Sequence, residues 1–327
     1  MRTIVCGVGA IGGTVAAALA LAGQEVVGIA RGAQLDAVRA DGLRLRTPGG
    51  DARARFPCVA DPGEIAFRRD DAILLAIKTQ DTTAALERLR AAGVTTQPVF
   101  CAQNGVANER VALRRFPNVH GVTVMMPAAF LTPGEVAAFS TPRHGVFELG
   151  RYPAGRDADD ERMAAALEAG NVAAFIDEAV MAGKHGKLLL NLRNVLEAAL
   201  GPEADSAPFV PPVRAEAEAA FAAAGIRWRD VGGDDPRRAL MRQAPVAGVG
   251  RSGGSSTQSL ARGTGSIETD WLNGEIVLLG RLHGVATPAN AFLTALGARL
   301  AREGLRPGAV TPEEIAEGYA AAGVPAA

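Results

Sequence analysis

The chain has 327 residues, 48% of them hydrophobic and 21% charged, which suits about two domains of ~100–200 residues and excludes a disordered chain, a fibrous repeat and a small disulfide-stapled domain. Lys and Arg number 34 against 35 Asp and Glu, a net charge of −1; without the basic excess that neutralises phosphates, no nucleic-acid partner is expected. Cys6, Cys58 and Cys101 are widely spaced, giving neither a disulfide framework nor a metal cluster and suiting a reducing cytoplasm. The N-terminus runs straight into MRTIVCGVGAIGG without a signal-peptide pattern, and the apolar stretch 15–22 is well short of the ~20 residues a membrane span needs. A cytoplasmic protein with no membrane partner is expected.

The first half alternates short apolar runs with helical periodicity, the rhythm of a parallel sheet with crossover helices. Residues 3–6 predict a first strand, and 11–22 an apolar helix buried over most of its surface. A second strand over 25–30 and a helix over 33–39 follow. Residues 43–56 alternate around a Pro-Gly-Gly turn and predict a hairpin beside the parallel strands. Further strands are predicted over 72–77 and 98–101 with a helix over 82–92 between them, and 119–125 and 143–149 extend the sheet. Beyond about residue 175 the texture becomes helical, over 181–200, 211–224, 268–283 and 289–303. The Gly/Ser-rich stretch 246–256 predicts a mobile loop and a candidate lid.

Gly7-Val8-Gly9-Ala10-Ile11-Gly12 directly follows the first strand and opens the first helix. In that setting Gly7 permits the tight turn, Gly9 lets the backbone approach a pyrophosphate, and Gly12 lets the helix pack close to the sheet. Phosphates then sit on the unpaired N–H groups of the helix N-terminus. An α/β, Rossmann-type dinucleotide-binding domain is expected at the N-terminus, followed by a mainly α-helical C-terminal domain. An NAD-preferring site carries an acid at the end of the second strand, ~20 residues on. Here that position reads Ile29-Ala30-Arg31-Gly32, and Arg31 suits a 2′-phosphate. NADPH/NADP+ is therefore the expected cofactor, a solvated surface Arg being the plain alternative.

Lys78 and Asn104-Gly105 end two predicted strands, where the ligand crevice of an open α/β sheet lies. Among the 34 basic residues only Lys78, Lys184 and Lys187 are lysines, the cation whose pKa moves on burial. Lys184, Lys187, Asn191 and Asn194 recur every three or four residues and form one stripe of the predicted helix. A solvated face would carry Glu, Arg and Gln; two Lys and two Asn predict a polar face lining a cavity, where a lysine suits general-acid work. Glu268, in IETDWLNG, falls in the first turn of a predicted helix, where the macrodipole favours an acid in any case.

The ordered set GVGAIGG, Arg31, AIKTQ around Lys78, QNGV around Asn104, GKLLLN, IETDWLNG and HGVATPAN resembles the ketopantoate reductase (2-dehydropantoate 2-reductase) family, from Met1 into the 290s. The resemblance implies an NADP-binding Rossmann domain over 1–175 and a helical substrate and dimerisation domain over 176–327. It implies reduction of a 2-keto acid by NADPH in a homodimer, with 2-dehydropantoate as the first substrate, a step of pantothenate and coenzyme A biosynthesis. It places Lys187 on the family's catalytic lysine, the proton donor to the carbonyl oxygen, and Glu268 on the acid that binds the substrate hydroxyl. Asn191 falls on a substrate-contacting Asn and Ser256 on the serine near the carboxylate. Asn104 falls at the nicotinamide end and Lys78 on the cofactor-side lysine. Three positions depart from the family pattern. Val195 stands where a second Asn is common, with Asn194 one position earlier. Gly265-Ser266-Ile267 precede the acid, and His185 replaces an aromatic. The departures point to another bulky 2-keto acid as the alternative substrate; a catalytically silent NADPH-binding sensor is the alternative of a different class.

Overall fold

Short β-branched runs separated by apolar or amphipathic helices build the first half of the chain, as the two periodicities demand. The computed structural model describes every residue except Asp234, Arg251, Ser252, Thr264, Gly265, Ala326 and Ala327. In order come β1 (Arg2–Cys6), α1 (Ala10–Leu21), β2 (Val26–Ile29), α2 (Gly32–Asp41), β3 (Leu43–Thr47), β4 (Gly50–Ala54) and β5 (Cys58–Val59). Then follow β6 (Asp71–Leu75), α3 (Thr82–Ala91), β7 (Val99–Cys101), α4 (Asn108–Leu113), β8 (Val119–Met125), β9 (Ala128–Thr132) and β10 (Glu135–Ala138). The series continues with β11 (Ser140–Pro142), β12 (Val146–Arg151), α5 (Ala158–Ala169), β13 (Ala173–Ile176), α6 (Val180–Asn191) and α7 (Asn194–Leu200). It closes with α8 (Val210–Ala223), β14 (Met241–Gln243), α9 (Ser255–Ala261), α10 (Asn273–His283), α11 (Pro288–Arg302) and α12 (Pro312–Ala321). Among the described residues no helix is long and apolar enough to cross a membrane.

The chain divides into two compact units, Met1–Lys184 with Asp230–Gly250, and His185–Arg229 with Arg251–Ala327. The first holds an eight-stranded sheet of order β13-β12-β8-β7-β6-β1-β2-β5, parallel except between β8 and β12. Successive residues of each strand bury opposite faces, as the pleat requires. Val5, Leu74 and Phe100 pack with Val15 and Leu19 of α1 and Met163 and Leu167 of α5. Ile4, Ile73 and Leu75 pack with Leu86 and Leu89 of α3 and Ala112 of α4. Helices thus cover both faces, and the carboxyl ends of β1, β6 and β7 open toward one crevice.

Three expectations are corrected. The hairpin predicted over 43–56 forms as β3 and β4, but not beside the parallel strands. β10 pairs with β3 and draws it into a second sheet, β4-β3-β10-β9, because Leu43, Leu45 and Val136 bury themselves against Ala17 and Ala18 of α1. The helix predicted over 181–200 is two helices; the Leu192 carbonyl in the break accepts from Asn273 Nδ2 at 3.1 Å instead of continuing the helical ladder. The helix predicted from 268 starts at Asn273, after a 3-10 turn over Thr269–Trp271 whose Thr269 sits directly against Gly297, where a Cβ would collide.

The division into compact units falls near, but not at, the boundary expected at 175/176. The first unit runs on to Lys184, within α6, and 230–250 belongs to that unit as well. β14 pairs with β11, and Arg237 meets the buried Glu148 at 2.5 Å and lies over the Phe175 ring. The loop expected over 246–256 is described in two pieces. Val246 is buried with Ala137 and Phe139 and bridges to Val249, whereas α9 begins at Ser255; Arg251 and Ser252 lie outside the described residues.

In the second unit α11 is the central helix, touching α7, α8, α10 and α12. Glu216 of α8 accepts from the Ala289 and Asn290 N–H groups at 2.7 and 2.9 Å and from Asn290 Nδ2 at 2.8 Å. These bonds satisfy donors that the first turn of a helix leaves unpaired.

Candidate active site

In the first unit the glycine turn lines a cleft of about 260 Å³, together with Arg31 and Gln34 from the start of α2 and Pro62, Ala85, Arg88 and Leu89 across from it. Each motif glycine has a distinct reason. Gly7 adopts φ +102°, and a Cβ there would stand 2.7 Å from Ile77 Cγ2; at Gly12 it would collide with the Gly7 carbonyl. At Gly9 a Cβ would meet nothing within 4 Å, so Gly9 keeps open a space that a ligand can fill. Val8 is buried, Ala10 and Ile11 form the first turn of α1, and the N–H groups of that turn lack helical acceptors. This cradle fits the pyrophosphate of a dinucleotide. The side chain of Arg31, exposed at the N-cap of α2, makes no hydrogen bond or ion pair among the described residues. Burial pushes the Cys6 and Cys58 thiols from 9.0 up to about 11, which makes them poor nucleophiles at neutral pH.

At the neighbouring strand ends, Lys78 is half-buried at the N-cap of a 3-10 turn over Thr79–Asp81, and Asn104 is half-buried beyond β7. A buried amide that the sequence reading passed over joins these two lips. Asn108, fully buried at the start of α4, donates through Nδ2 to Thr79 Oγ1 at 3.1 Å and to the Asn104 carbonyl at 3.2 Å. Its Oδ1 accepts from Thr82 at 2.7 Å, and Thr82 in turn accepts from Gln103. Asn108 lies four residues beyond Asn104 in QNGVAN, the one signal that could have found it. Lys184 is buried in this unit, bonded to the Cys101 and Gln103 carbonyls at 3.1 Å each and ion-paired with the buried Glu109 at 2.5 Å. The predicted stripe therefore loses its first member to the core, since a charge leaves water only with its partners.

In the second unit Lys187 is half-buried on α6, and Asn191, one turn on, is 8% exposed with its Nδ2 unpaired among the described residues. Asn194 is half-buried past the helix break, so it does not continue the α6 stripe; Val195 is 1% exposed and belongs to the core. Ser256 is buried in α9. The start of that helix is held by Glu197 of α7, which accepts from the Gly254 N–H and from Thr257 Oγ1 at 3.1 Å. Glu268 is half-buried as the N-cap of the 3-10 turn. The turn is tied to the end of α6 through Asn273, which is 1% exposed and bonded to the Leu192 carbonyl and to Asn290 Oδ1 at 3.1 Å each. The expectation concerning Gly265 lies outside the described residues; Ser266 and Ile267 are half-buried.

Residues 3–154 match the family described as "Ketopantoate reductase PanE/ApbA", and residues 187–300 its C-terminal counterpart. The 2-dehydropantoate 2-reductase of Halobacterium salinarum is 30% identical over 316 residues, 93% of this chain and 100% of that protein. The crystal structure of a PanE/ApbA family ketopantoate reductase from Ralstonia eutropha is similar at a TM-score of 0.75 and 27% identity, covering 93% of this chain and 99% of that one. A ternary structure of D-mandelate dehydrogenase with NADH and anilino(oxo)acetate reaches the same TM-score at 22% identity, with the same coverage, a likeness of fold alone.

Proposed function

The chain belongs to the ketopantoate reductase family, and from that premise we propose that it reduces 2-dehydropantoate to pantoate with NADPH, as a cytoplasmic homodimer. The observation that carries the reading is the Asn191 amide, 92% out of solvent on the basis of its 8% exposure yet with Nδ2 unpaired, one helical turn beyond Lys187. A buried donor left unsatisfied costs ~1–3 kcal/mol, and a bound polar substrate is what would satisfy it.

Gly7, Val8, Gly9, Ala10, Ile11 and Gly12 would hold the pyrophosphate, Arg31 the 2′-phosphate and Asn104 the nicotinamide end, with Lys78 as the cofactor-side lysine. The chemistry supplied by the reduced nicotinamide, once bound, is hydride donation to the ketone carbon. Lys187 protonates the carbonyl oxygen as negative charge develops on it. Asn191 and Ser256 orient the substrate, with Asn194 at its margin, and Glu268 accepts a hydrogen bond from the substrate hydroxyl. NADPH preference is supported by Arg31 and by the lack of an acid at the end of β2. A reducing compartment is supported by three buried free cysteines. The dimer follows the family; Leu278 and Leu282, 48% and 67% exposed one turn apart on α10, are apolar surface available to it.

One observation favours a second substrate. Val195 is packed into the core where the family commonly offers an Asn, so a 2-keto acid with a more apolar side chain would lose less here than 2-dehydropantoate. Oxidation of NADPH, followed by its absorbance, tests both readings with 2-dehydropantoate and a panel of branched 2-keto acids, NADH run in parallel. The proposal expects 2-dehydropantoate to have the highest kcat/KM and NADPH to be preferred. A different best keto acid replaces the substrate, and cofactor binding without turnover of any of them removes the enzymatic reading.

A further inference from the structure

Gln34, three residues beyond Arg31 on α2, grips the glycine turn by its backbone. Its Nε2 donates to the Val8 carbonyl at 2.9 Å, and its Oε1 accepts from the Gly134 N–H at 2.7 Å. Both partners are main-chain groups of opposite polarity, so the amide has one orientation; turned over, it would set donor against donor and oxygen against oxygen. Gly134 is itself anchored between β9 and β10, at φ +81°, with its carbonyl taken by the Arg44 N–H at 2.9 Å. The half-buried Gln34 side chain lines the same cleft as Val8 and Gly9, and it ties the turn to the second sheet.

In a trans peptide the C=O and the following N–H point in opposite directions. Holding the Val8 oxygen on the α2 side therefore holds the Gly9 N–H on the side away from α2. Among the described residues nothing accepts that N–H, and around Gly9 there is open space where a side chain would be. A peptide flanked by such a glycine has wide conformational freedom, and the Gln34 bond removes it before any ligand arrives. We propose that Gln34 is a positioning residue for cofactor binding, one that pre-orients the Val8–Gly9 peptide so that the Gly9 N–H meets the pyrophosphate. The inference rests on the reading of this cleft as the dinucleotide site.

Two substitutions and two ligands test it. Gln34→Met keeps the length of the side chain and removes both hydrogen bonds. Gln34→Glu keeps the acceptor toward Gly134 and sets a carboxylate oxygen against the Val8 carbonyl. Kd is measured by calorimetry for NADPH and for adenosine 2′-phosphate, which lacks the pyrophosphate, with thermal melting as the check on folding. NADPH is expected to bind about five- to tenfold more weakly to Gln34→Met, the worth of a hydrogen bond, and more weakly still to Gln34→Glu. Acidification that protonates the introduced carboxyl restores a donor and is expected to recover part of the Gln34→Glu loss. Adenosine 2′-phosphate is expected to keep its wild-type Kd in Gln34→Met, and in Gln34→Glu once the introduced carboxyl is protonated. Equal losses for the two ligands would show a general prop or a contact to the adenosine half and overturn the inference. Unchanged NADPH affinity in both variants would overturn the inference alone. Wild-type protein that binds neither ligand would overturn it together with the reading of the cleft.

Discussion

In the first unit Gly7, Val8, Gly9 and Arg31 reach one cleft from a single strand–helix–strand stretch. In the second, Lys187, Asn191, Ser256 and Glu268 come from α6, α9 and a 3-10 turn far apart in the chain, and buried amides and carboxylates such as Asn273 and Glu197 tie those elements together. The difference teaches where each function is encoded. A phosphate cradle is a property of local backbone geometry, so its glycines announce it. The substrate pocket proposed among helices depends on packing instead, and its residues can become a set only once side-chain bonds hold the helix ends in place.

The sharpest test separates the units by function. Lys187→Ala is expected to lower kcat at least ~100-fold, the worth of a general acid, while the Kd for NADPH stays at its wild-type value. Near-normal turnover, or equal loss of cofactor binding, would break the comparison. Arg31→Ala is next: the preference for NADPH over NADH is expected to fall by about tenfold or more, as for a hydrogen bond to a charged group, with kcat on NADH unchanged. Steady-state kinetics with the two cofactors read this directly.

Stability gives smaller but equally unit-specific effects. Glu216→Gln turns one acceptor at the start of α11 into a donor facing donors, and should cost about 1–3 kcal/mol, seen as a lower Tm, with NADPH affinity unchanged. The first unit should instead respond to alkaline pH. Cys6 and Cys58 are raised from 9.0 to about 11 by burial, so the folded chain holds protons that the unfolded chain releases. Their contribution is complete below pH 9 and is lost as pH rises toward 11, at no more than about 1.4 kcal/mol per pH unit for each thiol. Denaturant titrations at several pH values should show that decline in the wild-type protein and a shallower one in a Cys6→Ala/Cys58→Ala variant. Equal slopes would assign the alkaline loss elsewhere.

Residues 1–56 by themselves determine a strand, a glycine turn, a buried helix and a second strand followed by Arg31, because hydrophobic period and glycine placement act over a few neighbours. The lysine count likewise singled out Lys187, but it could not tell Lys187 from Lys184. Only the tertiary structure sends Lys184 into an ion pair with Glu109 and leaves Lys187 half-buried, since the partner that stabilises a buried cation is distant in the chain. The breaks after Asn191 and before Asn273 were closed to sequence reading for the same reason: helical periodicity continues through both, and Asn273 and Gly297, each remote from the break it shapes, decide where the helices stop. Sequence settles local backbone chemistry, where the forces are short-ranged; the fold alone decides which polar groups are buried, with whom they are paired, and that Asn191 is among those left, within the described residues, with a donor to offer.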